Sequence, residues 1–471
     1  MLQKGPANMH FCLKIITVIL AVLSTTPSLQ GVNEVSAQPN LILIFVDDMG
    51  YGDLSCYGGS LVPTPQIDRL TQNGIRFTQG YSISPVCGPS RVGLLTGMQP
   101  SRLGVYWNPD MGRVRIPEGH PSLGEAIKSA GYTTGMIGKW NLNEPKQDNL
   151  TAGEHFDQTY SLMVWECNYW PEADGKYHGV EDRNYGSNKL NGTWGPLKAG
   201  DEYITDRLSR NACEFITQEA GDPFFLYLAY NAPHSPLQGK AAHLDQLKHI
   251  DSEPLKLYAS MVLAIEEGVG QILKTLKDQG LRENTCIVFV SDNGPAKTNF
   301  KGLLPEWPRN QQLGSTGGLN GAKKDFLEGG IRVPFIINWP AVIKGSHEYH
   351  HPVTTLDLYP TLCALAGTQL PSGIQLDGID LMPNLIPIAQ APKERTLLWF
   401  AGTAGAIRKG DWKLVFDPEN GKRLYNLHLD PHESNDLTDT NTQIARTLWA
   451  SIETWAKSVP PPVTPLKNLK K

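Results

Sequence analysis

Three shortages narrow the class of this chain. No long basic run occurs: 42 Lys and Arg stand against 47 Asp and Glu, for a net charge of -5. That balance argues against a nucleic-acid partner and against binding a polyanion as a whole, while leaving room for a small anionic group in a local basic pocket. Cysteine is scarce, with seven in 471 residues at positions 12, 56, 87, 167, 213, 286 and 363. Their spacings form no compact framework, and a chain of this size needs no disulfide staples. Cys213 and Cys363 fall in apolar helical patterns and read as core. Beyond the first few dozen residues no apolar run is long enough to cross a bilayer, and no internal repeat is present.

The N-terminus reads as a leader. Lys4 and His10 precede an apolar stretch over residues 11–23, interrupted by Lys14, and Val35, Ser36 and Ala37 have the pattern of a cleavage site. Residues 1–37 are therefore expected to be a signal peptide, and the mature protein to be exported and free of the membrane. The remaining length exceeds what one core usually serves. A large domain over 38–390 and a small one over 391–471, ending in a Pro-rich tail, are expected.

Residues 41–46, 224–230 and 287–290 are continuous apolar runs of the kind buried on both faces of a sheet. Helical patterns lie between them. Ser122 and Glu125 make a capping-box pattern closed by Gly131. Leu208, Ala212, Phe215 and Ile216 share one face; Tyr258, Val262, Ile265, Val269, Ile272 and Leu276 share another, stopped by Gly280. This alternation predicts an α/β architecture. From Arg395 the rhythm changes to short strands at 397–400, 406–408, 412–416 and 423–427, then a helix at 444–455. That is the pattern of a small α+β domain with a short antiparallel sheet. Residues 161–200 break the rhythm and read as an irregular surface excursion carrying Trp165, Tyr169, Trp170, Tyr177, Tyr185 and Trp194.

Chemistry gathers at the ends of the apolar runs. Asp47 and Asp48 follow the first, and Ser291, Asp292 and Asn293 follow another. Ligands collect beyond the carboxyl ends of strands in α/β sheets. Each pair alone is also good turn chemistry. Together they offer four oxygen donors, a set that suits calcium or magnesium and not zinc.

Cys87-Gly88-Pro89-Ser90-Arg91, continuing through Leu94-Leu95-Thr96-Gly97, contains a C-x-P-S-R pentapeptide. With it the chain resembles the formylglycine-dependent sulfatases of the alkaline phosphatase superfamily, over nearly all of the mature length. Asp47-Asp48-Met49-Gly50-Tyr51-Gly52-Asp53 and Ser291-Asp292-Asn293-Gly294 resemble the two metal segments, Gly138-Lys139-Trp140 the lysine motif, and Asn231-Ala232-Pro233-His234-Ser235-Pro236 the histidine motif. Lys323, five residues before Glu328-Gly329-Gly330-Ile331-Arg332-Val333-Pro334, falls where that family places a second lysine. Gly410-Asp411-Trp412-Lys413-Leu414 and Leu424-Tyr425-Asn426-Leu427 resemble its C-terminal domain.

The resemblance implies a large mixed sheet flanked by helices, alkaline-phosphatase-like, with 38–390 as the catalytic domain. It implies that a formylglycine-generating enzyme oxidises Cys87 to formylglycine, whose hydrate offers one oxygen to attack sulfur and a second to expel sulfate. It implies one calcium ion, in preference to magnesium, bound by Asp47, Asp48, Cys87, Asp292 and Asn293. Arg91 would hold residue 87, and Lys139 and Lys323 would grip sulfate oxygens. His234, with Lys323 second, would protonate the leaving oxygen.

One departure stands out: the family usually reads Gly-Lys-Trp-His, and here the fourth position is Asn141. Asn still hydrogen-bonds a sulfate oxygen but does not titrate. The substrate class expected is a sulfate ester, on an aryl group or on a carbohydrate stacked against the excursion's aromatics; those aromatics equally suit a small core of the loop itself. Alternatives with the same residues are a phosphonate monoester or phosphodiester hydrolase, and a non-catalytic sugar-binding relative. Asn149-Leu150-Thr151 and Asn191-Gly192-Thr193 are glycosylation triplets that matter only in a eukaryotic secretory pathway. The expected destination is periplasmic or extracellular, or lysosomal in a eukaryote.

Overall fold

The computed structural model describes residues 38–108, 110, 116–142, 152–162, 167–171, 202–298, 310–370, 372–385 and 394–462. The leader, both glycosylation triplets, Trp165, Tyr177, Tyr185 and Trp194 lie outside the described residues.

In chain order the strands are β1 (Asn40–Val46), β2 (Gly74–Phe77), β3 (Gly80–Tyr81), β4 (Thr133–Lys139), β5 (Gln158–Leu162), β6 (Phe224–Ala229), β7 (Thr285–Ser291), β8 (Phe335–Asn338), β9 (Ser346–Tyr349), β10 (Val353–Thr354), β11 (Thr396–Phe400), β12 (Gly405–Lys409), β13 (Trp412–Asp417) and β14 (Gly421–Asn426). Eight of them make one mixed sheet in the order β5-β4-β6-β1-β7-β8-β2-β9. Within it β8 is antiparallel to β7 and to β2, and the other pairings are parallel.

The apolar runs at 41–46 and 287–290 become β1 and β7, buried along their whole length. Successive residues of a strand point to opposite faces, and β1 divides accordingly. Leu41, Leu43 and Phe45 join one core with the helices Cys87–Thr96, Leu123–Lys128 and Leu358–Ala366. Ile42, Ile44 and Val46 join another with the helices Ile204–Gln218 and Glu253–Asp278. The capping box forms as read: Ser122 Oγ accepts from Glu125 N, and Glu125 Oε2 from Ser122 N. The six cysteines among the described residues are free thiols. Cys363 is buried, whereas Cys213 is only half-buried.

The four C-terminal strands form an antiparallel meander, β11-β12-β13-β14. One face packs on the helix Thr442–Ser458 through Ile407, Leu414, Phe416, Leu424, Leu448 and Ile452. The other shares a core with the larger sheet's loops, where Trp399, Val415 and Tyr425 meet Tyr81, Phe326 and Ile331. The described residues from Gln38 onward thus make one compact unit. Among the described residues, no helix is long and apolar enough to cross a membrane.

Strand β4 has no apolar signature, and Ser161 and Leu162, read as the start of the irregular excursion, close β5 instead. Gly138 explains part of β4's composition. It has φ 107°, pairs with Ala229 of β6, and a Cβ there would strike the Ala229 carbonyl. Only glycine adopts that backbone without strain. Gly138→Ala is therefore expected to destabilise the protein by about 1–3 kcal/mol, read as a lower urea midpoint at unchanged denaturant slope.

Candidate active site

Four adjacent parallel strands, β4, β6, β1 and β7, end at the same edge of the sheet. Their last residues lie in step: Val46 pairs with Ser291, Phe45 with Ala229, and Ala229 with Gly138. The segments that leave these ends carry Lys139, the 231–236 turn, Asp47 with Asp48, and Asp292 with Asn293. The two acidic tips face each other. Asp48 N donates to Asp292 Oδ1 at 3.1 Å, and Asn293 Nδ2 donates to Asp48 Oδ1 at 2.7 Å. Asp48 has φ 65°, a left-handed conformation that Asp tolerates better than most residues.

Cys87 opens the ten-residue helix Cys87–Thr96 and is 1% exposed. Donor atoms of Asp47, Asp48, Cys87 and His234 all lie within 4.8 Å of one another. Arg91 follows Cys87 by one helical turn, which puts the two on one face. Its guanidinium is fully buried above the Phe45 ring. Nη1 donates to the Lys139 carbonyl at 2.7 Å, and Nη2 to Asp292 Oδ2 at 3.1 Å. Lys139 pairs with Asp47 Oδ2, and Lys323 Nζ lies 2.7 Å from Asp48 Oδ1.

His234 Nε2 stands 3.7 Å from Asp48 Oδ2, and Nδ1 is 2.7 Å from the Ser235 carbonyl. A carbonyl only accepts, so Nδ1 carries the proton and Nε2 is the bare nitrogen of the neutral ring. Burial, then Lys323 and Lys139, pushes the imidazolium down to about 4. Asn141 is 2% exposed, two residues beyond Lys139, with φ 52°.

Three carboxylates crowd one dry space. Burial, then Asp47, raises Asp292 well above the ordinary range against the pull of Arg91. Burial would raise Asp47 too, but Lys139, His234, Arg91 and Lys323 together hold it far below its usual value. Burial pushes the Cys87 thiol up, with Asp47 adding to the effect. The unmodified sulfur is therefore a poor nucleophile at neutral pH. Among the described residues, Asp47 Oδ1 and Asn293 Oδ1 are buried without a hydrogen-bond partner. Unsatisfied hard oxygens from both strand tips, next to crowded carboxylates, are the chemistry that a calcium or magnesium ion satisfies.

Several supporting residues escape a reading of motifs. The Tyr258 hydroxyl lies 2.5 Å from Asp53 Oδ2 and 3.2 Å from the Asp48 carbonyl. Asp53 also accepts from Gly50 N and Ser315 N, and burial pushes it up to about 6 against those bonds. Asn108 Oδ1 accepts from Gly88 N at the start of the Cys87 helix. Tyr258 was legible only as an apolar position; its helical face showed nothing of its hydroxyl. Tyr169 is no surface platform: it is fully buried, stacked on Tyr203, with its hydroxyl between the carbonyls of Asn231 and His234. Trp170 is 37% exposed and donates from Nε1 to the Gly239 carbonyl.

A mixed sheet of this order, with buried cations and hard oxygens at its carboxyl edge and a small antiparallel sheet behind, defines a hydrolase of the alkaline phosphatase superfamily. Within it the chain belongs to the sulfatase family, whose model it matches over residues 39–368, and it is a sulfuric ester hydrolase. It is 32% identical to the N-acetylgalactosamine-6-sulfatase of Sus scrofa, over 82% of this chain and 73% of that one. It is 27% identical to the N-acetylgalactosamine-6-O-sulfatase of Bacteroides thetaiotaomicron, over 89% and 93%. The crystal structure of Ps i-CgsB in complex with k-i-k-neocarrahexaose superposes with a TM-score of 0.79 at 31% identity, covering 91% of this chain and 94% of that one.

Tyr258→Phe removes the donor to a buried carboxylate and is expected to lower stability by about 1–3 kcal/mol. Urea unfolding of the variant beside the unaltered protein measures it.

Proposed function

We propose that this sulfatase hydrolyses a sulfate ester on a carbohydrate, using formylglycine made from Cys87 and one calcium ion held by Asp47, Asp48, residue 87, Asp292 and Asn293. The observation that carries the reading is the meeting of both acidic strand tips at Cys87, with two partnerless oxygens among them. The sugar class is supported by relatives named for N-acetylgalactosamine 6-sulfate and by a neighbour solved with a neocarrahexaose.

A divalent cation in this donor set supplies charge neutralisation and polarises the oxygens it touches. Formylglycine supplies, once hydrated, one oxygen to displace the alcohol and a second that lets sulfate leave without attack of water on sulfur.

The chain's own residues do the rest. Arg91, locked to the Lys139 carbonyl and Asp292, presents a rigid guanidinium that holds residue 87 in line. Lys139 and Lys323 grip sulfate oxygens, each worth about 3 kcal/mol as a preorganised donor. The family resemblance implies His234 first and Lys323 second as the acid for the leaving oxygen. The Nδ1 bond to Ser235 favours the reverse order: Nε2 accepts, and Lys323 carries the proton. Asn141 supplies a non-titrating contact to the sulfate.

The leader at 1–37 supports export to the periplasm or extracellular space, or to the lysosome in a eukaryotic host. Maturation needs a formylglycine-generating enzyme. The catalytic domain is assigned to 38–390 and the small domain to 391–471.

Mass spectrometry of the peptide containing residue 87, from natively produced protein, is expected to show formylglycine, with one equivalent of calcium by metal analysis. Cys87→Ala is expected to lower sugar-sulfate turnover by roughly 10⁴-fold or more, as loss of a covalent nucleophile does. An intact thiol in fully active protein would overturn the reading.

A further inference from the structure

Behind Lys323 and Asn293 lies a charged cluster that the chemistry above does not use. Lys413, on β13 of the small sheet, is fully buried. Its Nζ lies 2.8 Å from Glu328 Oε1 and 2.9 Å from Glu433 Oε1. Glu433 Oε2 accepts from the backbone N–H of Glu328 at 2.6 Å. Glu328 Oε2 accepts from Tyr81 at 2.8 Å and lies 3.4 Å from Arg332 Nη1. Glu433 holds φ 54° to reach this place, a conformation that a long side chain adopts only under constraint. Two buried carboxylates this near each other repel unless one holds a proton or a cation stands between them, and Lys413 supplies that cation.

Glu328 is tied by its neighbours to the site. Gly330 O accepts from Gly294 N at 2.9 Å, directly beside Asn293. Gly329 N donates to Asn320 O at 2.6 Å, and Lys323 N to Pro295 O at 2.9 Å. The C-terminal loop bonds the same strip: His432 Nδ1 to Gly318 O at 2.8 Å, and Asn320 Nδ2 to Glu433 O at 3.4 Å. A Cβ on Gly294 would collide with the Gly329 carbonyl, so these backbones touch with no side chain between them to absorb a shift. A close-packed contact of this kind transmits displacement.

We propose that Lys413 and Glu433 are positioning residues: through Glu328 they set where Lys323 and Asn293 stand, so that the small sheet supports the site from behind. The proposal rests on the functional reading above, in which Lys323 grips sulfate and Asn293 binds the cation.

The test uses full-length matured protein, stripped with chelator, and titrates calcium chloride and then sodium sulfate by calorimetry. Lys413→Met is expected to weaken both affinities about tenfold or more, the scale on which supporting residues tune metal sites. Glu433→Gln, which keeps the shape and loses the charge, should shift both in the same direction by less. Arg102→Ala is the control. It cuts a contact elsewhere between the two parts of the chain, the fork on Asp377 and the stacking at 4.3 Å on Trp455 of the helix Thr442–Ser458, and should lower the unfolding temperature with both affinities intact. The proposal is overturned if folded Lys413→Met, or Glu433→Gln where Lys413→Met does not fold, binds both ions as the unaltered protein does. It is equally overturned if Arg102→Ala weakens them as much. Failure of the unaltered protein to bind either ion sinks the functional reading and this inference with it, a result distinct from the other two.

Discussion

The site depends on one pairing: β1 beside β7 with Val46 opposite Ser291. That register sets Asp47 and Asp48 against Asp292 and Asn293, and the Asp48 N–H to Asp292 bond closes it just beyond the last ladder rung. A slip of one residue would turn every side chain of β1 to the wrong core. The alternation of Leu41, Leu43 and Phe45 against Ile42, Ile44 and Val46 between two separate cores therefore guards the geometry of the acidic tips. Packing energy far from the chemistry is what holds the donors in place.

Electrostatics then decides what that edge tolerates. Removing a carboxylate from water is costly unless a cation and hydrogen bonds compensate. Three carboxylates share this pocket with Arg91, Lys139 and Lys323, and even so Asp292 is driven toward its neutral form. A core selected only for stability would not hold such a set. The proposed ligands of both signs, a hard cation among the carboxylates and an anion on the lysines, would relieve that strain in the charge pattern of a metal-assisted sulfate ester site.

Much of this was legible in the chain, unevenly. The runs at 41–46 and 287–290 announce themselves because strands buried on both faces are apolar at every position. The helix Glu253–Asp278 shows its face through six apolar residues, all buried. Strand β4 was invisible because Gly135 and Gly138 replace apolar side chains where the Phe215 ring and the β6 backbone come close. Tyr169 stood open in the sequence, amid Gly, Asn and other aromatics that suited a sugar platform or a small core equally, and it packs under the histidine turn. Lys413 and Glu328 sat in recognisable C-terminal and glycine-rich segments, but their pairing joins positions 85 residues apart. No local pattern encodes such a contact.

The departure at Asn141 gains meaning from the same accounting of protons. In left-handed backbone Asn is among the least strained choices, so the residue suits its φ of 52° while removing a titrating imidazole from the edge. His234 Nδ1 is committed to the Ser235 carbonyl, and Lys139 faces Asp47. In the function proposed above, Lys323 is the ammonium that gives a proton to the departing oxygen. Its burial alone would release that proton too easily, whereas Asp48 beside it raises its affinity for the proton. In the same proposal, a cation held by Asp48 would weaken that hold and so couple metal binding to the proton on Lys323. The groups behind Lys323 therefore matter as much as those in front of it.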